Sequence, residues 1–187
     1  MIRPANIFST PIALADDLCE NTEQIIEDAY QAVGDSKTPA GWLCDISSTY
    51  SPSAKVLDDF PMLKQQILIA ATEYSVIHWK KNCIITNSWV NIAQSYQYQE
   101  QHHHISLGNS SAMFCAVYYP QVQENEVITF HSPFVSLVTF TGPQSCNVSI
   151  NIKPNRLILF PAYLEHSFRS IKREIDKISF SANFTII

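Results

Sequence analysis

Three consecutive histidines, His102, His103 and His104, precede an apolar run at residues 111–119 that predicts a buried strand. Side chains alternate between the two faces of a strand, so His102 and His104 share one face while His103 points to the other. Two imidazoles spaced in this way can chelate one metal ion. The segment is equally compatible with an exposed loop that has no ligand role.

A third metal ligand would have to come from elsewhere in the chain. The remaining histidines are His78, in a helical pattern, His131 and His166. His166 fits best, because it follows the strongly apolar strand 157–160 and a proline, and then begins another β-like run. Spacing alone leaves open that His166 is an ordinary hydrogen-bonded histidine.

Composition limits the kind of protein that carries these histidines. The chain has 187 residues, 46% hydrophobic and 16% charged, which predicts a globular protein with few surface charges. A net charge of -5 argues against binding nucleic acid or an anionic membrane, and the only basic cluster is short, at residues 172–177. Nothing in the sequence indicates the oligomeric state.

Cysteine usage and the N-terminal sequence indicate the compartment. The cysteines are scattered singly and form no C-x-x-C pair, so we predict that they are reduced thiols: Cys19, Cys44, Cys83, Cys115 and Cys146. The sequence has neither the apolar run of a signal peptide nor an uncharged apolar stretch of membrane-spanning length. We therefore expect a cytoplasmic protein.

Two helical patterns occupy the first part of the chain. Residues 15–34 have apolar residues at roughly helical spacing and end at Gly34, while residues 58–82 have a stronger pattern. In the second pattern Asp58 or Asp59 can cap the helix, and Pro61 suits the first turn. The segment between the two patterns is rich in turn formers and predicts an irregular connector.

From residue 83 onward, short β-rich runs replace the helical period. The runs are 84–96, 111–119, 126–132, 134–140, 146–152, 156–161, 166–171 and 177–187. About eight strands after two helices predict a mainly β fold, a jelly-roll (double-stranded β-helix, cupin-like) core with both helices packed on one face. We expect a single domain, 1–187, with a helical part to about residue 82 and the jelly-roll core from about residue 83.

Three blocks of the sequence, in this order, resemble those of a known family. They are "HHHISLGNSSAMFCAVYYP", "IKPNRLILFPAYLEHSF" and "KISFSANF". They are similar to the H-x-H or H-x-D motif with its strand, to the Phe-Pro turn with the distal histidine, and to the basic-residue strand of the 2-oxoglutarate- and iron(II)-dependent oxygenases. The resemblance is to the prolyl-hydroxylase-like side of that superfamily, in a branch of bacterial and phage oxygenases.

This resemblance implies the metal ligands. The family holds iron(II) with two histidines and a carboxylate, leaving open positions for 2-oxoglutarate and oxygen. Here the corresponding residues are His102, His104 and His166, with His104 in the place where the family usually has aspartate. Such a site lacks the anionic ligand, so its metal would be more Lewis-acidic.

The resemblance also implies residues that contact 2-oxoglutarate. Lys177 takes the place of the usual arginine opposite the distal carboxylate, and Arg173 is a substitute. Alternation along the last strand puts Lys177, Ser179, Ser181 and Asn183 on one face, which would line the cofactor cavity. The alternative is an exposed edge strand with Lys177 as a surface lysine.

Two further residues have weaker support. Tyr119 corresponds to a tyrosine whose hydroxyl contacts the distal carboxylate in related hydroxylases, and Asn91 corresponds to a frequent asparagine of the branch. Without the resemblance, Tyr119 would be interpreted as a core residue and Asn91 as a strand-end residue. No catalytic residue beyond the metal ligands is implied.

The implied activity is oxidation of a substrate coupled to decarboxylation of 2-oxoglutarate, with iron(II) and O2, giving succinate and CO2. Hydroxylation of a C–H bond is the expected outcome, with a small molecule or a peptide, such as one containing proline, as substrate. Two alternatives remain: a cupin-like metalloenzyme that does not use 2-oxoglutarate, and a non-catalytic jelly-roll binding or structural module.

Overall fold

The computed structural model describes residues 9–105, 112–133 and 147–187. The predicted strand at 134–140 and the predicted thiol of Cys146 lie outside these residues. The four cysteines within them are free thiols, as expected from the sequence: Cys19, Cys44, Cys83 and Cys115. No helix in the described part of the chain is both long and apolar enough to span a bilayer.

The first helix, α1, comprises Thr22–Val33. It begins later than the predicted residue 15, because Ala13–Ala15 instead pairs as a short strand and Asp17 has a positive φ of 53°. It ends where the sequence predicts, since the N–H of Gly34 closes the last turn on Tyr30 O at 2.9 Å.

The second helix, α2, comprises Pro61–Trp79, with Pro61 in the first turn as predicted. The predicted aspartate cap is wrong: Phe60 occupies the N-cap position, because Asp58 and Asp59 belong to a short 3-10 helix, Val56–Asp59. The helix ends before residue 82, since Lys80 adopts the left-handed conformation at a φ of 59°.

Ten strands within the described residues form two antiparallel sheets. The major sheet has the order β1-β8-β5-β10-β3-β2, and the minor sheet has the order β4-β9-β6-β7. In chain order the strands are β1 (Ala13–Ala15), β2 (Ser47–Ser48), β3 (Cys83–Ala93), β4 (Gln99–His102), β5 (Phe114–Gln121), β6 (Val127–Phe130), β7 (Val148–Asn151), β8 (Arg156–Pro161), β9 (His166–Phe168) and β10 (Lys177–Ile186). The predicted jelly-roll with two flanking helices is confirmed, and every predicted β run within the described residues contains a strand.

Alternation along the central strands divides the interior into two layers. On β5, Phe114, Ala116 and Tyr118 pack in the core beneath α1 and α2, whereas Cys115 and Val117 face the space between the sheets. β10 follows the same rule, because its apolar side chains Ile178, Phe180 and Ala182 join the helix-facing core. Its polar side chains therefore point inward, between the sheets, where a site can form.

Candidate active site

A cavity of about 520 Å³ opens between the two sheets. The side chains of the polar face of β10 line it, as predicted: Lys177, Ser179, Ser181 and Asn183. The predicted ligands His102, His104 and His166 and the predicted contacts Tyr119 and Asn91 line the same cavity. The structure thus gathers residues that are separated by up to 92 positions in the sequence (183 minus 91).

The register of the minor sheet places the histidines. His102 on β4 is the direct cross-strand partner of His166 on β9, and their ring centroids lie 4.2 Å apart. His104 follows β4 and is fixed by its backbone N–H, which donates to Ala162 O at 2.9 Å. One ring nitrogen from each of the three histidines lies within 4.8 Å of the other two.

Hydrogen bonds at the other ring nitrogen orient each imidazole. Nδ1 of His102 lies 2.8 Å from the carbonyl oxygen of Glu100, and Nδ1 of His166 lies 3.2 Å from that of Leu164. Nδ1 of His104 lies 2.6 Å from Oδ1 of Asn183 on β10. Because these oxygens accept, Nδ1 carries the proton in each ring, and Nε2 keeps a lone pair for a metal ion.

Burial keeps the three rings neutral. It lowers the pKa of His102, lowers that of His104 to about 3, and lowers that of His166 well below its usual value. Three neutral imidazoles that converge on one point suit iron, zinc, copper or nickel. The donor set therefore fits iron(II), and within the described residues the cluster contains no carboxylate.

Lys177 occupies an unusual position for a lysine. Its side chain is only 2% exposed, its Nζ makes no hydrogen bond within the described chain, and Nζ lies 3.8 Å from the ring centroid of Phe168. The ring of Tyr119 is 5.3 Å from the same nitrogen. Burial lowers the pKa of Lys177 to about 7, although the nearby Glu126 opposes this shift. The interpretation of Lys177 as a surface residue is therefore wrong.

Arg173, the alternative to Lys177 in the sequence analysis, forms hydrogen bonds with other groups of the protein. Its Nε and one terminal nitrogen donate to the two carboxylate oxygens of buried Glu126 at 2.8 and 3.1 Å. Its other terminal nitrogen donates to the carbonyl oxygens of Gln94 and Gln97. Glu126 Oε2 is 3.7 Å from Lys177 Nζ, beyond hydrogen-bond distance, so the ammonium protons of Lys177 are unused within the described chain.

Tyr119 and Asn91 have different surroundings. Burial raises the pKa of Tyr119, so its hydroxyl remains protonated. Asn91 is opposite Ser179 in the β3–β10 register, and its Oδ1 accepts a hydrogen bond from Ser48 Oγ at 2.6 Å. This bond fixes the amide of Asn91 in the wall of the cavity.

Sequence reasoning missed two supporting residues. Glu126 gave no signal, because a single glutamate before a strand is common and its partner Arg173 is 47 residues away. Asn183 was placed on the correct face of β10, but its contact with His104 spans 79 residues and has no local pattern.

Asn183 offers a test of how the histidines are held. We expect Asn183→Ala to weaken metal binding about 10- to 100-fold, because His104 loses the acceptor that fixes its tautomer and ring orientation. Titration of Co(II) or Ni(II) into the purified chain, followed by absorbance, measures the change. Asn183→Asp, which keeps an oxygen acceptor, is the matched control and should retain affinity. Equal affinity in Asn183→Ala and the parent would contradict the role.

Comparison with sequence families gives one match. Residues 87–183, just over half of the chain, match the model of the family described as "Putative 2OG-Fe(II) oxygenase", where 2OG denotes 2-oxoglutarate. The matched segment includes all three clustered histidines and Lys177. A search among curated proteins finds no match for the sequence.

Solved structures share the fold. A Pseudomonas putida prolyl-4-hydroxylase has a TM-score of 0.59 at 11% identity, over 94% of this chain and 92% of that one. The viral collagen prolyl hydroxylase of Paramecium Bursaria Chlorella virus-1, in its 2OG complex, has 0.58 at 11% identity, over 92% and 94%. HygX from Streptomyces hygroscopicus, with nickel, 2-oxoglutarate and hygromycin B bound, has 0.63 at 10% identity, over 94% and 82%.

Proposed function

Because this chain belongs to the 2OG-Fe(II) oxygenase family, we propose that it hydroxylates a substrate C–H bond with release of succinate and CO2. The proposal assigns iron(II) to His102, His104 and His166, and the distal carboxylate of 2-oxoglutarate to Lys177. The observation that carries it is the coexistence, in one cavity, of three converging imidazoles and a buried ammonium group without a hydrogen-bond partner in the described chain.

Iron bound at such a site supplies the activation of O2 that the oxidation requires. The residues of the chain bind and orient the reactants. Lys177 pairs with the distal carboxylate, and because its side chain is only 2% exposed, this attraction is stronger than in bulk water. The hydroxyl group of Tyr119 donates a hydrogen bond to the same carboxylate, and the amide group of Asn91 faces the cavity.

Glu126 and Arg173 assist Lys177 without contacting the cosubstrate. Their paired charges nearly cancel, so the region carries about one net positive charge, which one carboxylate neutralises. Arg173 also fixes the orientation of Glu126, since both carboxylate oxygens accept from the guanidinium and Oε2 is held 3.7 Å from Lys177 Nζ. The lysine therefore keeps its donors for 2-oxoglutarate.

For the substrate, we propose a peptide containing proline as the first candidate. Support comes from the prolyl hydroxylases among the similar structures. Mass spectrometry of proline-containing peptides incubated with enzyme, iron(II) and 2-oxoglutarate would detect a gain of one oxygen atom.

Succinate formation tests the reaction class without a known substrate. Purified protein with iron(II), 2-oxoglutarate and O2 should form succinate at a slow uncoupled rate that stops when O2 is removed. A cupin-like metalloenzyme would bind metal yet never form succinate, and a non-catalytic module would do neither. Metal binding without succinate, both with and without the peptide panel, would overturn the proposed function.

The lowered pKa of Lys177 predicts a pH dependence. Since its pKa lies near 7 in the free enzyme, the ammonium loses its proton as pH rises through 7, while 2-oxoglutarate remains a dianion. We expect the dissociation constant of 2-oxoglutarate to rise between pH 7 and 9, by up to about tenfold per pH unit. Calorimetric titration measures it, and Lys177→Arg, which stays charged, should flatten the profile. A constant affinity across this range in the parent would contradict the prediction.

A further inference from the structure

A row of aromatic side chains leads along the cavity wall to the histidines. The rings of Trp42 and Tyr50 have centroids 5.3 Å apart, and Tyr50 meets Trp89 edge-on at 5.0 Å. Trp89 in turn lies 5.4 Å from the ring of His104. Trp42 and Tyr50 are partly exposed, whereas Trp89 is buried, so the row runs from the surface inward. We call these three residues the aromatic wall.

Glu100 adds a negative charge to the same cavity. Its Oε1 accepts from the backbone N–H of Leu43 at 2.8 Å, whereas its buried Oε2 has only the weakly donating Cys44 thiol as a neighbour in the described chain. The neighbouring Cys44 thiol stays neutral, because burial and the charge of Glu100 raise its pKa to about 12. A thiol is a weak donor, so this carboxylate oxygen can accept a stronger hydrogen bond from a charged group of a ligand.

The other charges in the cavity do not neutralise Glu100. Among the described residues that line it, only Glu100 and Lys177 carry a formal charge when the histidines are neutral. Lys177 has its nearest carboxylate oxygen in Glu126, at 3.7 Å, and no lysine or arginine in the described ranges forms an ion pair with Glu100. The cavity thus has a positive group for a carboxylate and, separately, an unpaired negative group.

We propose that the aromatic wall and Glu100 form a subsite for an aliphatic ammonium group of the substrate. Ring faces attract a cation through their quadrupole, and the carboxylate supplies the opposite charge. An anionic substrate group would be repelled here, and an apolar group would leave Glu100 unpaired. This inference rests on the proposed function, since it takes the cavity to be the place where the substrate is oxidised.

The ammonium group belongs to a lysine side chain, either of the free amino acid or of a residue within a peptide. Two matched pairs of probes distinguish these sources: free L-lysine with L-norleucine, and Nα-acetyl-lysine methylamide with Nα-acetyl-norleucine methylamide. Norleucine lacks only the terminal amino group of lysine. Binding is measured by calorimetry on the full chain with iron(II) and 2-oxoglutarate under argon, where no turnover occurs.

We expect at least one lysine probe to bind about tenfold or more tightly than its norleucine partner. Preference within the blocked pair alone indicates a peptide, and preference within the free pair alone indicates an amino acid. Glu100→Gln keeps an acceptor for Leu43 N–H and should abolish the preference. Trp42→Leu should reduce it, while Glu124→Gln, a change at an exposed position outside the cavity lining, should leave it intact.

Equal binding within both pairs, or a preference that survives Glu100→Gln, would overturn the subsite. Tighter binding of Nα-acetyl-glutamate methylamide than of the lysine probe would overturn it as well. These outcomes are separable from failure of the proposed function. If succinate forms without any ammonium preference, only the subsite fails, and if the preference appears in a protein that never forms succinate, only the oxygenase proposal fails.

Discussion

His166→Ala is expected to weaken iron(II) binding by more than about 100-fold and to reduce succinate formation to background. Loss of a supporting residue beyond the ligands typically costs 10- to 100-fold in metal affinity, and loss of one of three ligands should cost more. His166 is also the cross-strand partner of His102, so the two rings lie close together, with centroids 4.2 Å apart and planes tilted by 54°. The primary effect of the substitution should therefore be weaker metal binding, and the loss of catalysis should follow from it.

Metal stoichiometry after anaerobic loading and oxygen-dependent succinate formation are the two measurements. Because His166 is buried against Phe160, alanine leaves a void, and His166→Gln provides a variant with less loss of packing. His78→Ala, at an exposed position on α2 outside the cavity lining, is the control that should bind and turn over like the parent. Full metal loading in a folded His166→Gln protein would remove His166 from the ligand set.

Lys177→Met is expected to raise the KM for 2-oxoglutarate about 30- to 1000-fold, with a smaller effect on kcat at saturation. Removing one partner of a buried charge pair typically costs about 2 to 4 kcal/mol or more, and 1.4 kcal/mol corresponds to tenfold in affinity. The fold should tolerate the change, because both oxygens of Glu126 still accept hydrogen bonds from Arg173 and the buried carboxylate keeps its counter-charge.

Steady-state kinetics with varied 2-oxoglutarate and calorimetric binding at fixed metal check this expectation. Lys177→Arg, which retains the positive charge, should recover much of the affinity, whereas Lys172→Ala changes an exposed lysine and should have no effect. If Lys177→Met binds 2-oxoglutarate as the parent does while Arg173→Lys does not, the distal carboxylate belongs to the arginine instead.

The sequence could predict the features that depend on local periodicity. Alternation along β10 separated the polar Lys177 and Asn183 from the apolar Phe180, and the structure places these faces in different layers. The i, i+2 spacing put His102 and His104 on one side, and the apolar strand before residue 166 located their distant partner. The inference for β10 needs only a strand and its two faces, whereas His104 lies just beyond β4 and is held in place by its hydrogen bond to Ala162 O.

What could not be predicted depends on contacts across the fold. β1 has three residues, too few to show an alternating pattern. The predicted first helix therefore begins at residue 15, which in the structure belongs to β1 and pairs with β8. Trp42 and Tyr50 lie in the irregular connector between the two helices, where no regular sequence pattern predicts the direction of their side chains. The pairing of Glu126 with Arg173 is likewise set by tertiary packing and left no trace in spacing.

Because their strands differ in length, the two sheets should differ in their stability against local unfolding. The described strands of the minor sheet have three or four residues, whereas β3 and β10 of the major sheet have eleven and ten. A metal ion bound by His102 and His166 would link β4 to β9. Its binding free energy would then add to the stability of the minor sheet. Amide deuterium uptake in β4 and β9 should therefore slow on metal loading far more than uptake in β3.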